Sequence, residues 1–342
     1  MPIQVPNISE FEDVVYKTVD GVRVIAAVHS TKRGPALGGC RLLNYNSFEE
    51  QLNDTLRLAE AMSYKNAFAN LDLGGGKMTV DLNGLKTTDD KVIKAIAETV
   101  NSLNGKYYTA KDVGFDDILL NCISSETPYV RGFYSGDPSR STADGVISGI
   151  LSSLDYARIN RNDARVGVEG LGGVGYRVAG QLIYNHHIGE LYIEDIDQSK
   201  VDDFIDHYRN HGTKVYPMKN LKYADIDIYC PCALGGTIDD YYEKIQAKII
   251  AGAANNQMKN NEISKAIFES GKIYAPDFVI NSGGVIHITQ EFKTKNRIEI
   301  SELASEQCNE IGNSLISIYT KSKKYKKPTD QLATEMAKQM LC

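Results

Sequence analysis

Residues 165–195 read RVGVEGLGGVGYRVAGQLIYNHHIGELYIED. A β-rich run is followed at once by glycines at 170, 172 and 175, then an apolar helical run, then a second β-rich run ending on Asp195. In a strand–GxGxxG–helix unit the first glycine permits the tight turn and the second lets backbone approach a pyrophosphate. The third packs helix on sheet, and the phosphate lies at the helix N-terminus. Gly173 and Val174 complete this candidate loop. An acid about 20 residues further on accepts hydrogen bonds from both ribose hydroxyls and repels a 2′-phosphate, so Asp195 favours NAD over NADP.

Downstream the same period continues. TKVYP, IDIYCPC, AKIIAG and KIYAPDFVI are short β-rich runs separated by segments read as long enough for one helix. That spacing predicts βαβ units, right-handed crossovers and a doubly wound parallel sheet. Residues 136–314 are expected to form this Rossmann-type NAD-binding domain. Upstream the order is mixed. VVYKTVDGVRVIAAVHS (14–30) reads as a hairpin around Asp20-Gly21. Ser47 and Glu50 form a capping box for a helix over about 48–62, and Lys91–Leu103 repeats the helical period up to Asn104-Gly105. Residues 1–135 are therefore expected to be a separate α/β substrate and dimerisation domain. C-terminal helices over about 315–342 are expected to rejoin it. RGFYSGDPSRSTADG (131–145) has no apolar period and reads as the hinge. The lysines at 321, 323, 324, 326 and 327 read as cations at a helix C-terminus ahead of Pro328.

With 342 residues the chain is long enough for two domains. Hydrophobic residues at 42% and charged residues at 24% are ordinary globular usage, which excludes disorder and coiled coil. A net charge of -6 has the wrong sign for nucleic-acid backbone. The start, MPIQVPNISEFEDVVY, has no apolar run behind a basic end, so no signal peptide is expected. No run approaches the ~20 apolar residues of a membrane helix. The cysteines at 40, 122, 230, 232, 308 and 342 form no framework, which suits reduced thiols and a cytoplasmic protein.

Three further stretches carry chemistry. LDLGGGKMTV (71–80) is not a phosphate-binding Walker loop, because Leu71 replaces its first glycine and Met78 its final Ser or Thr. The glycines instead admit close backbone approach, and Lys77 opens an apolar strand. Lys65, in AMSYKNAFAN (61–70), also has uncharged neighbours. Two lysines facing one cleft would lower at least one pKa and supply a neutral amine as base. Asp112, in YYTAKDVGFDD (107–117), reads either as a helix N-cap or as a proton carrier. His207 and His211 have i, i+4 spacing, but the HExxH pattern fails and no metal is expected.

Seven stretches, in order, resemble the glutamate/leucine/phenylalanine/valine dehydrogenase family, most of all its leucine dehydrogenase branch. They are GPALGGCR (34–41), AMSYKNAFANLDLGGGK (61–77), TAKDVG (109–114), EGLGGVG (169–175), PCALGG (231–236), AGAANNQ (251–257) and APDFVINSGGVI (275–286). The resemblance implies reversible NAD-dependent oxidative deamination of an L-amino acid to its 2-oxo acid, ammonia and NADH. It implies an active site in a cleft between the domains that closes over substrate, and a homo-oligomer, dimer or octamer. By the same likeness Lys65 would grip the substrate carboxylate, Lys77 would activate water, and Asp112 would shuttle protons to and from the amine. Gly38 and Gly39 would leave room for substrate beside Met62. Asn255 would lie between substrate and nicotinamide, with Thr142 near the carboxamide and Cys232 and Ala233 beside the cofactor.

Substrate choice is read from the same motifs. Glutamate-specific relatives carry a lysine where this chain has Leu37, so an acidic side chain would be buried without its partner. Ala110, Val285 and Ile288 match the other pocket positions and favour an aliphatic, branched-chain substrate. An aromatic substrate and a non-catalytic NAD-binding homologue are the alternatives. Two residues depart from the leucine pattern. Lys111 replaces an acid and is expected to bring a cation to Asp112, and His287 replaces an asparagine and is expected to alter the pocket rim.

Overall fold

A computed structural model describes residues 7–341 apart from 234. The stretch read against a signal peptide therefore lies partly, and Cys342 wholly, outside the described residues. The chain folds as two compact units. The first runs up to Gly136 and regains Ile288–Ile300 and the chain from Ala337 on; the second comprises Asp137–His287 and Ser301–Met336.

In the first unit, strands β1 (Asp13–Val19) and β2 (Val22–Ser30) form the hairpin, with Asp20 and Gly21 both at positive φ as a two-residue turn requires. Then come β3 (Ala36–Leu43), helix α1 (Phe48–Phe68), β4 (Gly74–Asp81), α2 (Asp90–Ser102), β5 (Tyr107–Lys111) and α3 (Asp117–Glu126). The sheet order is β1-β2-β4-β3-β5, antiparallel at the first two joins and parallel at the last two. Both faces are covered, which is why β2 and β4 read as nearly continuous buried runs. On one face Val24, Ala26, Cys40, Leu42, Met78 and Val80 pack with Val92, Ile96 and Val100 of α2 and Leu119 and Ile123 of α3. Each such aliphatic side chain stabilises the unit by about 1.5–3 kcal/mol. On the other face Ala27 packs against Leu56 and Ala59 of α1.

Helix α1 runs six residues past its expected end at 62. The apolar period stops there because the last turns pack on glycine: a Cβ on Gly75 would lie 2.1 Å from the Ser63 nitrogen. Small and polar residues suit that contact, and Asn66 Nδ2 donates to the Gly74 carbonyl at 2.6 Å. The Ser47 hydroxyl accepts from the Glu50 N–H at 3.0 Å, while Glu50 reaches back to the Asn46 N–H at 2.8 Å, one residue beyond the expected box.

In the second unit α4 (Ser139–Ala157) leads into β6 (Arg165–Glu169), α5 (Gly173–Tyr184), β7 (Glu190–Glu194), α6 (Gln198–Tyr208), β8 (Lys214–Pro217), β9 (Ile228–Pro231), β10 (Ile249–Ile250), α7 (Asn261–Glu269) and β11 (Ile273–Tyr274). The chain continues through α8 (Asp277–Ile280), α9 (Gly283–Thr289), α10 (Arg297–Cys308), α11 (Glu310–Tyr325) and α12 (Thr329–Met340). All six strands are parallel, in the order β11-β10-β9-β6-β7-β8. This is the doubly wound order, with its switch point between β6 and β9. No helix among the described residues is long and apolar enough to cross a membrane.

Two expectations are corrected here. The segment 131–145 is not hinge throughout, since α4 begins at Ser139. Its apolar period is masked by Gly145 and Gly149, where a Cβ would lie 2.6 Å from Ile311 and Ile280 respectively. The helices from 315 do not rejoin the first unit as a block. α11 packs on α4, with the Tyr319 and Ser153 hydroxyls 2.8 Å apart, and only the chain from Ala337 returns. His211 lies beyond the end of α6, so the two histidines do not share a helix face.

Ser47→Ala is expected to cost about 1 kcal/mol; the measurement is urea unfolding, read as a lower midpoint at unchanged slope.

Candidate active site

Lys77 sits in the middle of β4, whose eight residues are all buried. Its ammonium donates to Asp112 Oδ2. Asp112 directly follows β5, and its Oδ1 accepts from the N–H of Val113 at 2.8 Å. The helix cap considered for Asp112 is made instead by Asp116, whose carboxylate accepts from the Leu119 N–H at 2.8 Å. Burial pulls the Lys77 pKa down, and this outweighs the attraction of Asp112. Burial raises Asp112, but the charges of Lys77 and Arg41 and the hydrogen bonds prevail, and the carboxyl lies below its ordinary value. A lysine with a weakened proton next to an ionised acid can exchange protons with a third group.

The second cation bearing on Lys77 is Arg41. Arg41 Nε lies 3.3 Å from Asp112 Oδ2. Lys111, expected there, pairs instead with Asp117 at 2.7 Å. Lys65 lies half-buried on α1 between Ser63 and Asn66, and Asn66 donates to the carbonyls of both Leu37 and Gly74. Met62 is half-buried one turn earlier, and its Cγ lies 3.3 Å from where a Cβ on Gly38 would fall.

The glycines at 38 and 39 are required by the unit's own packing. A Cβ on Gly38 would lie 1.8 Å from the Gly76 carbonyl oxygen, and one on Gly39 would lie 2.8 Å from the Asp112 Cβ. Leu37 is buried on β3, and Ala110 is buried on β5 in register with Gly39.

The second unit carries the glycine loop between β6 and α5. Gly170 has φ +93°, and a Cβ on Gly175 would lie 1.8 Å from the Gly170 carbonyl oxygen. Gly172 caps α5 without any side-chain hydrogen bond and has open space where its Cβ would be. Unsatisfied N–H groups behind an open glycine fit a pyrophosphate. Gly173 and Val174 begin the helix. Ala233 abuts Gly170, its nitrogen 2.8 Å from a Cβ built there, and the Cys232 Cβ stands 3.0 Å from one built on Gly175. Asp195 follows β7 and closes onto the loop: Oδ2 accepts from the Leu171 N–H at 2.7 Å and Oδ1 from the Asp197 N–H at 2.9 Å. Lys200 Nζ adds an ion-pair contact to Oδ1 at 3.6 Å.

Asn255 is exposed, and its Oδ1 accepts from Asn281 Nδ2 at 2.8 Å. That bond leaves the Asn255 amide N–H groups to point elsewhere. Asn281 was missed as a site residue, although the NSGG of its motif marked it. Thr142 donates to the Pro138 carbonyl at 3.1 Å, and its Oγ1 lies 3.0 Å from a Cβ built on Gly284. Val285 and Ile288 are half-buried one turn apart on α9. His287 is not on a rim: it is 2% exposed, with Nδ1 2.9 Å from the Ser141 hydroxyl.

A doubly wound sheet with an open glycine turn, together with a buried lysine–carboxylate pair on a separate sheet, defines a nicotinamide-dependent oxidoreductase. Comparison with known proteins narrows this. Residues 7–129 match the "Glu/Leu/Phe/Val dehydrogenase, dimerisation domain" family and residues 186–341 match "Glutamate/Leucine/Phenylalanine/Valine dehydrogenase". The chain is 36% identical to leucine dehydrogenase of Geobacillus stearothermophilus, over 97% of this chain and 91% of that protein. It is 38% identical to leucine dehydrogenase of Bacillus subtilis, over 82% and 79%. The crystal structure of L-tryptophan dehydrogenase from Nostoc punctiforme superposes with a TM-score of 0.86 at 34% identity, covering 97% of this chain and 96% of that one. The chain belongs to the glutamate/leucine/phenylalanine/valine dehydrogenase family and is an amino-acid dehydrogenase.

Because Asp112 fills the space beside Gly39, Gly39→Ala is expected to displace the carboxylate at a cost of about 1–3 kcal/mol. Thermal unfolding should show a melting temperature lower by several degrees, and an unchanged one would refute the steric requirement.

Proposed function

We propose that the protein catalyses reversible, NAD-dependent oxidative deamination of an apolar, branched-chain L-amino acid (leucine, isoleucine or valine) to the 2-oxo acid, ammonia and NADH. The observation that carries this reading is the buried Lys77–Asp112 pair, a base and an acid held together in a unit whose family acts on amino acids. Lys65 binds the substrate carboxylate as a fixed cation beside Met62 and the close-packed Gly38–Gly39 stretch of β3. Asp112 takes the proton of the substrate ammonium and returns one to departing ammonia. Lys77, as the neutral amine, draws a proton from the water that adds to the imino carbon. The nicotinamide, when bound, accepts the hydride from Cα.

The second unit holds that cofactor. Gly170 makes the turn, its own N–H donated to the Glu194 carbonyl at 2.7 Å, and Gly172, Gly173, Val174 and Gly175 present N–H groups to the pyrophosphate. Asp195 accepts from the ribose hydroxyls, and its charge opposes a 2′-phosphate, which favours NAD over NADP. Cys232 and Ala233 border the same turn. Thr142 serves the carboxamide, and Asn255, oriented by Asn281, serves substrate and nicotinamide.

Leu37 supports the substrate class. A buried leucine offers an acidic side chain no partner, and an unpaired carboxylate there costs several kcal/mol. Ala110, Val285 and Ile288 are apolar as well. The similarity to a tryptophan dehydrogenase keeps an aromatic substrate as the second reading. A homo-oligomer is also proposed, in keeping with the dimerisation-domain match, and a cytoplasmic location follows from the reduced cysteines.

The test is NADH formation by the purified protein with leucine, isoleucine, valine, phenylalanine, tryptophan and glutamate in turn, with NADP as control. An aliphatic substrate with NAD is expected; activity confined to tryptophan, phenylalanine or glutamate would overturn the pocket argument. Lys77→Ala should lower turnover by about 10²–10⁴-fold and leave NADH binding, followed by fluorescence, intact.

The pH dependence has a definite sign. Lys77 must be neutral and its pKa lies below the ordinary lysine value. Asp112 must be ionised and lies below the ordinary carboxylate value. kcat/KM for deamination should therefore rise with pH along one limb set by Lys77, with its midpoint under that of free lysine. An acid limb near neutrality belonging to Asp112 would contradict the assignment.

A further inference from the structure

Asp112 Oδ2 is approached by two cations, Lys77 Nζ and Arg41 Nε. The Arg41 contact, at 3.3 Å, is an ion pair without hydrogen-bond alignment, and that nitrogen is buried with no other partner. The opposite end of the guanidinium spans to α1, where Nη1 lies 3.2 Å from Asp54 Oδ2. Asp54 is itself shared: Arg57 donates to it at 2.8 Å and the Tyr45 hydroxyl at 3.0 Å. The titratable groups about the pair are thus Lys77 on β4, Cys40 and Arg41 on β3, Tyr107 on β5, whose hydroxyl burial keeps protonated, Asp54 and Arg57 on α1, and Tyr45 beyond β3. Cys40 and Tyr45 stay protonated, both raised first by burial. Lys111 and Asp117 neutralise each other.

We propose that Arg41 is a positioning residue that, anchored by Asp54, keeps a permanent cation on Asp112 so that Lys77 can give up its proton without leaving the half-buried carboxylate unpaired. This deepens the proposed reaction and rests on the roles given there to Lys77 and Asp112. The physical need is plain. With Lys77 as its sole cation, the half-buried Asp112 would lose its counter-charge each time the lysine became neutral, and the uncompensated carboxylate would hold the lysine's proton in place. A guanidinium never deprotonates, and its fork reaches two carboxylates at once, as an ammonium cannot. Arg41 lowers the pKa of both partners. It thereby favours the pairing of neutral amine with ionised acid on which deamination depends.

The test is the pH profile of kcat/KM for three variants of the full-length enzyme. Arg41→Met removes the cation, and the rising limb should move about one pH unit higher. Asp54→Asn frees the cation from its counter-charge, and the limb should move lower, by a fraction of a unit. Arg41→Lys should fall between Arg41→Met and the parent. Opposite shifts from the two ends of one ion-pair chain are a signature that loosened structure does not give. Limbs unmoved in Arg41→Met and Asp54→Asn, with kcat reduced equally at every pH, would overturn the proposal. Should Arg41→Met not fold, Asp54→Asn and Arg41→Lys still decide the sign. Failure of the underlying reading is separately visible, because Lys77→Ala would then keep its turnover whatever the Arg41 variants do.

Discussion

An ammonium group in the middle of a fully buried strand is the constraint that organises the first unit. Lys77 lies on β4 among buried neighbours and is itself 5% exposed, and removing such a charge from bulk solvent costs several kcal/mol unless a counter-ion is held against it. Asp112 supplies that charge from the end of β5, two strands away in the order β4-β3-β5. The reach is possible because the intervening strand has no side chain at Gly39. Gly74, Gly75 and Gly76 serve the same end. A Cβ at any of them would meet Ser30, Ser63 or Tyr107 and push β4 out of its place between α1 and the sheet. The glycine run and the lysine that follows are one device, in which close packing is what makes the lysine buried.

The second unit answers a different physical problem, the accommodation of a doubly charged diphosphate without a dedicated cation. Four N–H groups at a helix start are unpaired unless something caps them, and Gly172 brings no capping side chain. The helix must also approach the strand closely enough to present those groups, which explains why Gly175 touches the Gly170 carbonyl. Asp195 ties the loop from its far side through the Leu171 N–H, so the acid proposed to read the ribose also stiffens the glycine turn. Its other oxygen accepts from the Asp197 N–H and pairs with Lys200, which fixes the carboxylate in place.

The legible parts of this protein were those where backbone geometry leaves a mark on residue type. Asp20-Gly21 and the 170–175 glycines could be placed from sequence because positive φ and close approach exclude other residues. The six parallel strands followed from their spacing. The partners of charges were not legible in the same way. Lys111 and Asp112 are adjacent, yet Lys111 turns to Asp117 while Asp112 faces Lys77. In a strand successive side chains alternate, and β5 ends at Lys111, so adjacency in sequence placed the two on different sides. Arg41 was visible as part of GPALGGCR, two residues past Gly39 and therefore on its face of β3. Its bridging position depends on Asp54 in a helix thirteen residues later, and no local pattern shows that. His287 misled for the opposite reason: a polar residue in a motif suggested a rim, whereas the Ser141 hydroxyl satisfies it in the interior.

Charge and shape do not contribute equally to substrate choice. One methylene more or less in an apolar pocket is worth about 1–3 kcal/mol, so Ala110, Val285 and Ile288 can only grade leucine, isoleucine and valine against one another. Leu37 acts on a larger scale, because bringing a carboxylate beside a buried leucine strips it of water and returns nothing. In the proposed pocket the class of substrate is therefore set by one residue and its order of preference by several. The same asymmetry appears in the chemistry. In the proposed roles Lys65, as a fixed cation, selects a carboxylate ligand, whereas the Lys77–Asp112–Arg41 chain sets only how readily a proton moves. A family that keeps these residues and varies position 37 can change its amino acid without rebuilding its proton transfer.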